Sequence, residues 1–262
     1  MSPTGVYRSF ASYYDAYVGD FRGDFNIYLS LLHPGARPLE IGCGTGRLLK
    51  PALEQGYHIT GIDISDDMLD RAREKLGGYI EPGQLSLLKH NLVDAPLSEC
   101  YDPVWVSFYT FNYLLDQEEA CTFLANLRKS MSTGAALIMD LFCPTTLLHP
   151  EMEGLWIQRE ITVEGRTLIL RDSRALQGSI EKRIQVYEGA EGQEEIVTLR
   201  RFWNKQEIAE LLGKTGFGDI QFTDGYDAEG FHPLSPAENT ATSFVVKACS
   251  CKKRSGEIVY CT

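Results

Sequence analysis

From Pro38 onward, short apolar runs alternate with amphipathic stretches in the rhythm of a wound α/β domain. The runs predict strands at 39–41, 58–62, 85–90, 103–109 and 135–141. Between them, 3.6-residue periodicity predicts helices at 47–55, 65–76 and 117–131. Ser65 is a good N-cap for the second of these, and Gly77-Gly78 stops it. The run at 103–109 is apolar throughout, as expected of a strand covered on both faces. Together these elements predict a parallel sheet sandwiched by helices.

Upstream, residues 6–33 carry Phe10, Tyr13, Tyr14, Tyr17, Phe25, Tyr28, Leu29 and Leu32 at mixed helical spacing, which fits two short helices. Such helices pack on the core or lie over the mouth of a site as a lid. Downstream, 156–203 changes character: β-branched and aromatic residues alternate with charges and are broken by Glu164-Gly165, Gln177-Gly178 and Gly189–Gly192. These turns join about four antiparallel strands, with Ile161, Val163, Ile169, Ile184, Val186 and Val197 as candidates for one apolar side. An insert after the fifth strand lies beside the carboxyl edge of the sheet, where open α/β folds bind ligands, so it is expected to cap the site. Asn204 caps a helix to Lys214, and strands at 220–223 and 242–248 follow, the last inserted antiparallel as a seventh strand. The expected organisation is a core of 1–150 with 204–248, a β cap at 151–203 and a mobile tail at 249–262.

Charge narrows the partners. With Lys+Arg 25 against Asp+Glu 36, the net charge of −11 repels polyanions, so nucleic acid and acidic membrane surfaces are not expected partners. No apolar run reaches membrane-span length, and Met1–Gly5 opens without a basic-then-apolar leader, so a cytoplasmic protein is expected, monomer or homodimer. The seven cysteines lack Cys-x-x-Cys pairing and are expected reduced, with no metal site.

The chemistry centres on Leu39–Arg47, where a strand ends in a glycine loop opening into a helix. A dinucleotide loop places a third glycine where this chain has Arg47, and no Lys-Ser/Thr pair follows to make a P-loop. What is present is Gly42-x-Gly44-x-Gly46 behind Glu40, with Asp63 17 residues beyond Gly46 at the end of the second strand. A carboxylate at Asp63 can accept both hydroxyls of a ribose, bare glycine backbone lets a ligand chain lie close, and Glu40 welcomes a cation.

At these residues the chain resembles the class I S-adenosylmethionine-dependent methyltransferases, small-molecule type. Glu40–Gly46 is similar to their first motif and Gly61-Ile62-Asp63-Ile64-Ser65-Asp66-Asp67-Met68-Leu69 to their second, within a likeness spanning about 6–248. The resemblance implies a doubly wound, Rossmann-like, seven-stranded α/β fold. It implies S-adenosylmethionine as cofactor and S-adenosylhomocysteine as product. Gly42, Cys43, Gly44 and Gly46 would line the methionine portion, Asp63 the ribose, and Ile64 and Met68 the adenine. Asn91 and Leu92 would lie at its edge, and Asn91 stands where relatives often carry Asp. Tyr13-Tyr14-Asp15-Ala16-Tyr17 is similar to an N-terminal segment of these enzymes in which a tyrosine, here Tyr14, reaches cofactor or acceptor. Phe108–Tyr113 resembles the same loop of glycine N-methyltransferase-like enzymes, with Tyr113 in place of their histidine.

Methyl transfer is a direct displacement that asks the protein to align the acceptor and exclude water, and it calls for no metal. Tyr14, Tyr109, Tyr113 and Asp140 are the candidates beside the reacting atoms, with Phe108 beside the cofactor; His149 and His232 are more remote. A small-molecule acceptor is expected, an amine ahead of a hydroxyl or carboxylate because no strong base emerges. The rival is a regulator that binds the cofactor without turnover.

Overall fold

The computed structural model describes residues 3–144, 149–227, 229–233 and 243–250. Helices α1 (Pro3–Val18) and α2 (Phe25–Leu29) open the chain. There follow β1 (Leu39–Ile41), α3 (Leu49–Glu54), β2 (Ile59–Asp63), α4 (Asp66–Leu76), β3 (Leu85–Lys89), β4 (Val104–Val106), α5 (Gln117–Lys129) and β5 (Ala136–Phe142). A meander of β6 (Trp156–Val163), β7 (Arg166–Gln177), β8 (Ile180–Gly189) and β9 (Gly192–Arg201) comes next. The chain then returns through α6 (Lys205–Lys214), β10 (Gly218–Asp224), β11 (His232–Pro233) and β12 (Ser243–Cys249).

The main sheet runs β11-β10-β12-β5-β4-β1-β2-β3. Its first five strands in sequence are parallel, and β12 lies antiparallel between β5 and β10. The winding reverses between β1 and β4, so a crevice opens beyond their carboxyl ends. The two-residue β11 adds an eighth strand to the seven that the hydrophobic pattern predicts. Alternation splits the core: Leu39, Val104, Val106, Leu137 and Met139 pack on one face, while Trp105, Ile138 and Val245 pack on the other. Each such side chain, fully buried, contributes about 1.5–3 kcal/mol.

Local signals explain where elements start and stop. Ser65 accepts from the Met68 amide at 3.3 Å, and Asp66 and Asp67 in the first turn of α4 with Arg73 and Lys75 in its last complement the helix dipole. Asn204 and Glu207 form a reciprocal capping box on α6. Strand β4 ends at Val106, short of the expected 109. Phe108 and Tyr109 adopt positive φ (50° and 66°), and a 3-10 turn at Thr110–Tyr113 folds the chain back over the crevice. Such backbone costs non-glycine residues about 1–3 kcal/mol each. Helix α3 starts two residues late because Gly46 and Lys50 are still closing the loop: the Gly46 amide donates to the Cys43 carbonyl and that of Lys50 to Gly46.

The meander forms a separate four-stranded sheet whose hairpins pair Val163 with Arg166, Gln177 with Ile180 and Gly189 with Gly192. Two-residue turns swap odd for even positions from strand to strand. The face shared with Ile161 and Val163 therefore continues through Leu170, Tyr187 and Ile196. Ile169, Ile184, Val186 and Val197, expected with them, stand on the opposite face, where Val186 is buried and the other three are half-buried. The inner face covers α1: Phe10, Ala11, Ile161, Val163, Leu170, Tyr187 and Ile196 form one cluster that also takes in Met68 of α4. Tyr13 stacks on Tyr187 at 4.0 Å and donates to Glu194 Oε2 at 2.7 Å.

No helix among the described residues is long and apolar enough to cross a membrane. Cys43, Cys100, Cys121 and Cys143 are free thiols, whereas Cys249 is disulfide-bonded, a departure from the expected reduced set that no paired spacing announces. The expected tail beyond Ser250, with Cys251 and Cys261, and most of the 224–240 loop lie outside the described residues.

Candidate active site

The glycine loop leaves β1 in a tight arc. The amides of Gly42 and Cys43 both donate to the Ile62 carbonyl, at 2.9 and 3.0 Å. Gly42 has φ 71°, and a Cβ there would fall on the Thr110 side chain; one on Gly46, φ 83°, would meet Leu76. Those two glycines are required by the fold of the protein itself. Gly44 is different: the nearest atoms to its missing side chain belong to the Tyr14 ring, 3.9 Å away. Cys43 is turned inward, 4% exposed among Leu49, Trp105 and Ile138, and burial pushes its thiol pKa up. Its amide donates to Ile62, as that of Gly42 does, so its side chain and N–H are both engaged within the protein.

Two carboxylates flank the loop. Asp63 Oδ2 accepts from the Gly44 amide and Oδ1 from the Ser65 amide, each at 2.9 Å. Burial raises its pKa against these bonds. Glu40 sits beneath the loop, 2% exposed, where strand alternation places it between Leu39 and Ile41. Ser107 Oγ donates to its Oε1 at 2.6 Å, while Oε2 is buried with no partner among the described residues. Burial pushes its pKa up to about 8.

Above the loop lies α1, fixed at Asp15, with the segment that follows it fixed at Asp24. Asp15 Oδ1 accepts from Thr45 Oγ1 at 2.6 Å and from Lys75 Nζ at 2.9 Å. Arg47, at the position of the absent third glycine, donates two bonds to the fully buried Asp24 at 2.8 and 2.5 Å and lies against the rings of Phe21, Phe25 and Phe108. Tyr14 is thereby held over Gly44, edge-on to Phe10 and Phe108 at 5.6 and 6.2 Å, its pKa raised by burial.

On the second-strand side, Ile64 is half-buried and Met68 is buried under α1. Asn91 Oδ1 accepts from the Val93 amide at 3.0 Å, which engages one lone pair of the oxygen expected to meet an adenine. The Leu92 side chain belongs to the core, 1% exposed, so only its backbone remains for a ligand.

The loop after β4 brings Ser107, Phe108, Tyr109 and Tyr113 to the crevice. Asp140 is fully buried and does not line the pocket: Oδ1 accepts from Tyr28 Oη at 2.5 Å and the Tyr109 amide at 3.4 Å, and Oδ2 from Tyr226 Oη at 2.9 Å. Burial pushes its pKa up to about 6. The hydroxyls of Tyr226 and Tyr109 lie 3.3 Å apart, so a chain of phenols links Asp140 to the pocket.

That pocket, about 510 Å³, lies beside the crevice. Tyr17, Val18 and Phe21 from α1 and its end form one wall, and Phe108 and Tyr109 form another. The cap supplies Arg159, Leu170, Asp172, Arg174 and Arg183, with Met152, Leu155 and Ile157 at the edge. Tyr14 and Tyr113 are not among the lining; burial raises the Tyr113 pKa, opposed by Arg200 and Arg183 nearby. The charged cap residues, Tyr28, Tyr226 and Asp24 were not singled out from sequence. Parity counted through the hairpins from Ile161 would have placed Asp172, Arg174 and Arg183 on the inner face.

Comparison with known proteins agrees with this geometry. Residues 39–134 match the family described as a methyltransferase domain. An uncharacterized methyltransferase of Geobacillus sp. (strain WCH70) is 34% identical over 124 residues, 44% of this chain and 56% of that protein. An O-methyltransferase of Aspergillus nomiae is 30% identical over 120 residues, 45% of this chain and 52% of that one. The chain thus spans about half the length of these relatives. Among solved structures, the S-adenosylmethionine-bound amino pentose methyltransferase of Micromonospora echinaspora involved in calicheamicin biosynthesis superposes with TM-score 0.67 at 20% identity, covering 91% of this chain and 96% of that one. The fold is that of a Rossmann-like methyltransferase.

Proposed function

We propose that this chain, whose residues 39–134 are a methyltransferase domain, binds S-adenosylmethionine at the end of β1 and methylates a small acceptor in the adjoining pocket, an amine nitrogen being the accepting atom. The observation that carries this reading is Glu40 Oε2, a buried carboxylate oxygen without a partner directly below the loop that leaves Gly44 bare under Tyr14. Such an atom is costly in the empty protein and is matched by a ligand cation. Gly44 and Tyr14 would hold the methionine chain between them. Asp63 would accept the ribose hydroxyls on the lone pairs its two amide bonds leave over. Ile64 and Met68 would flank the adenine, with Asn91 at its edge. When bound, S-adenosylmethionine supplies an electrophilic methyl on a cationic sulfur, and transfer yields S-adenosylhomocysteine.

Alignment and dryness are the remaining tasks. Phe108 and Tyr109, set by strained backbone, would stand between cofactor and acceptor, and α1 with the cap would shut out water. Tyr113 stands outside the pocket lining and would support the turn that follows Phe108 and Tyr109. Asp140 would act as a positioning residue, holding Tyr109 through its amide and through Tyr226. The amino pentose methyltransferase of similar fold is named for an amine-bearing substrate. A hydroxyl acceptor is the second reading, favoured by the Asp140–Tyr226–Tyr109 chain as a route for its proton and by the Aspergillus nomiae relative, which is named an O-methyltransferase.

The test is calorimetry with S-adenosylhomocysteine, then methyl-labelled cofactor with amines, phenols and acids. The expected result is product binding weakened at least about tenfold by Asp63→Asn, as for loss of a charged hydrogen bond, and label recovered on nitrogen. Absent product binding would overturn the reading; binding with no turnover would turn the assignment toward a regulator.

A further inference from the structure

Four charged side chains line the pocket, and they do not balance: Arg159, Arg174 and Arg183 face Asp172 alone. The strands explain the convergence. Arg159, Asp172, Arg174 and Arg183 all lie on the inner face of the cap, where Arg174 is the cross-strand partner of Arg183 and Leu170 that of Arg159. Like charges placed directly opposite one another are unfavourable unless something negative joins them.

Asp172 does part of that. Arg183 donates to both its oxygens, through Nε at 3.1 and 2.9 Å, and Arg174 reaches Oδ1 through Nε at 3.4 Å. Burial alone would push the Asp172 pKa up; Arg183 and Arg174 overcome it and hold the carboxyl below its usual value. Arg159 donates to the Tyr17 carbonyl at 3.2 Å, and both Arg159 and Arg183 lie over the Tyr17 ring, at 5.3 and 4.6 Å. One carboxylate serves two guanidiniums, and among the described residues the third has a carbonyl and a ring. Arg200 and the buried Glu181 nearby pair with each other and leave this balance unchanged. In a chain of net charge −11, an excess of two positive charges inside one pocket is a local arrangement.

Resting on the methyltransferase reading, we infer that the acceptor carries an anionic group, a carboxylate or a phosphate, which Arg159, Arg174 and Arg183 hold, while its apolar part lies against Phe21, Leu155 and Ile157 at the mouth. Guanidinium forks suit both anions, and the mouth residues are 39%, 56% and 54% exposed, an uncovered apolar rim. The same positive field disfavours an ammonium in the pocket. An amine that enters is thereby kept as the free base that displacement requires.

The test uses the full chain saturated with S-adenosylhomocysteine, whose own binding is measured first, so that failure of the cofactor site is seen separately and overturns both readings. Phenyl phosphate, benzoate and neutral benzamide are then titrated by calorimetry at low and high salt. The expected result is that at least one anion binds about tenfold or more tighter than benzamide, with the preference shrinking in salt; the better anion identifies the group. Arg174→Gln and Arg159→Gln should each cut that preference several-fold and leave benzamide and S-adenosylhomocysteine binding unchanged. Equal binding of all three probes, binding of none of them, or a preference that survives both substitutions would overturn the proposal.

Discussion

Folding works against the charge of Glu40: water is excluded, Ser107 satisfies one oxygen, and among the described residues nothing satisfies the other. Its folded pKa of about 8 lies above the unfolded value, so the protonated form is favoured by folding. Its contribution to stability is therefore complete below the unfolded pKa near 4.5 and is lost as pH rises toward 8. Asp140, pushed from 3.8 to about 6, adds a loss of the same sign in the lower part of that window. The empty protein should thus lose stability between about pH 4 and 8, and Glu40→Gln should flatten the upper half of the curve in urea melts at stepped pH. That variant should be roughly 1–3 kcal/mol more stable than the parent at pH 8 without ligand, and should bind S-adenosylhomocysteine about tenfold more weakly. A less stable variant with unchanged affinity would show that Glu40 serves the fold instead of a ligand cation. The placement of such residues was open to sequence reading because Glu40, Gly44 and Asp63 sit at or just past strand ends that apolar periodicity locates. The burial of the Cys43 and Leu92 side chains was not legible: a loop residue can turn its side chain into the core, and spacing does not record which way it turns.

At the scale of elements, the arginine in place of a third glycine is a clamp. Asp24 is fully buried and Arg47 is its charged partner, so the pair ties the segment between α1 and α2 to the start of α3. Breaking one side of a buried pair costs about 3–5 kcal/mol, since the other charge is left stranded, whereas removing both is often near neutral. Arg47→Met should destabilise by that amount and raise hydrogen exchange across α2, and Arg47→Met with Asp24→Leu should recover most of the loss. If the double variant is no better than the single, the clamp is not electrostatic. Element existence was readable from apolar periodicity nearly throughout, including all four cap strands. Two things were hidden. Strand β4 stops early because Phe108 and Tyr109 accept left-handed backbone that no residue type there announces. The inner face of the cap was mixed because each two-residue hairpin exchanges odd and even positions, so the inward face of Ile161 and Val163 continues at Leu170 and leaves its neighbour Ile169 outside. The same exchange concealed the arginines of the pocket.

On the scale of the whole molecule, α1 is packed on both sides: Phe10 and Ala11 share one cluster with Met68 below and with Leu170, Tyr187 and Ile196 of the cap above. The glycine loop lies beneath this helix, while the pocket opens past its end at Tyr17, Val18 and Phe21. On the proposed function, a nucleoside under Tyr14 would leave only as α1 moves, and a molecule in the pocket, which opens past the helix end, would leave without that movement. Turnover should accordingly run in a fixed order, nucleoside first on and last off. Initial-rate experiments should find S-adenosylhomocysteine competitive against S-adenosylmethionine but noncompetitive against the acceptor, and random-order patterns would contradict this. Weakening the stack of Tyr13 on Tyr187 with Tyr187→Leu should quicken product release measured by stopped flow. On the proposed function, a helix held between α4 and the cap sheet would be the part whose movement times the cycle.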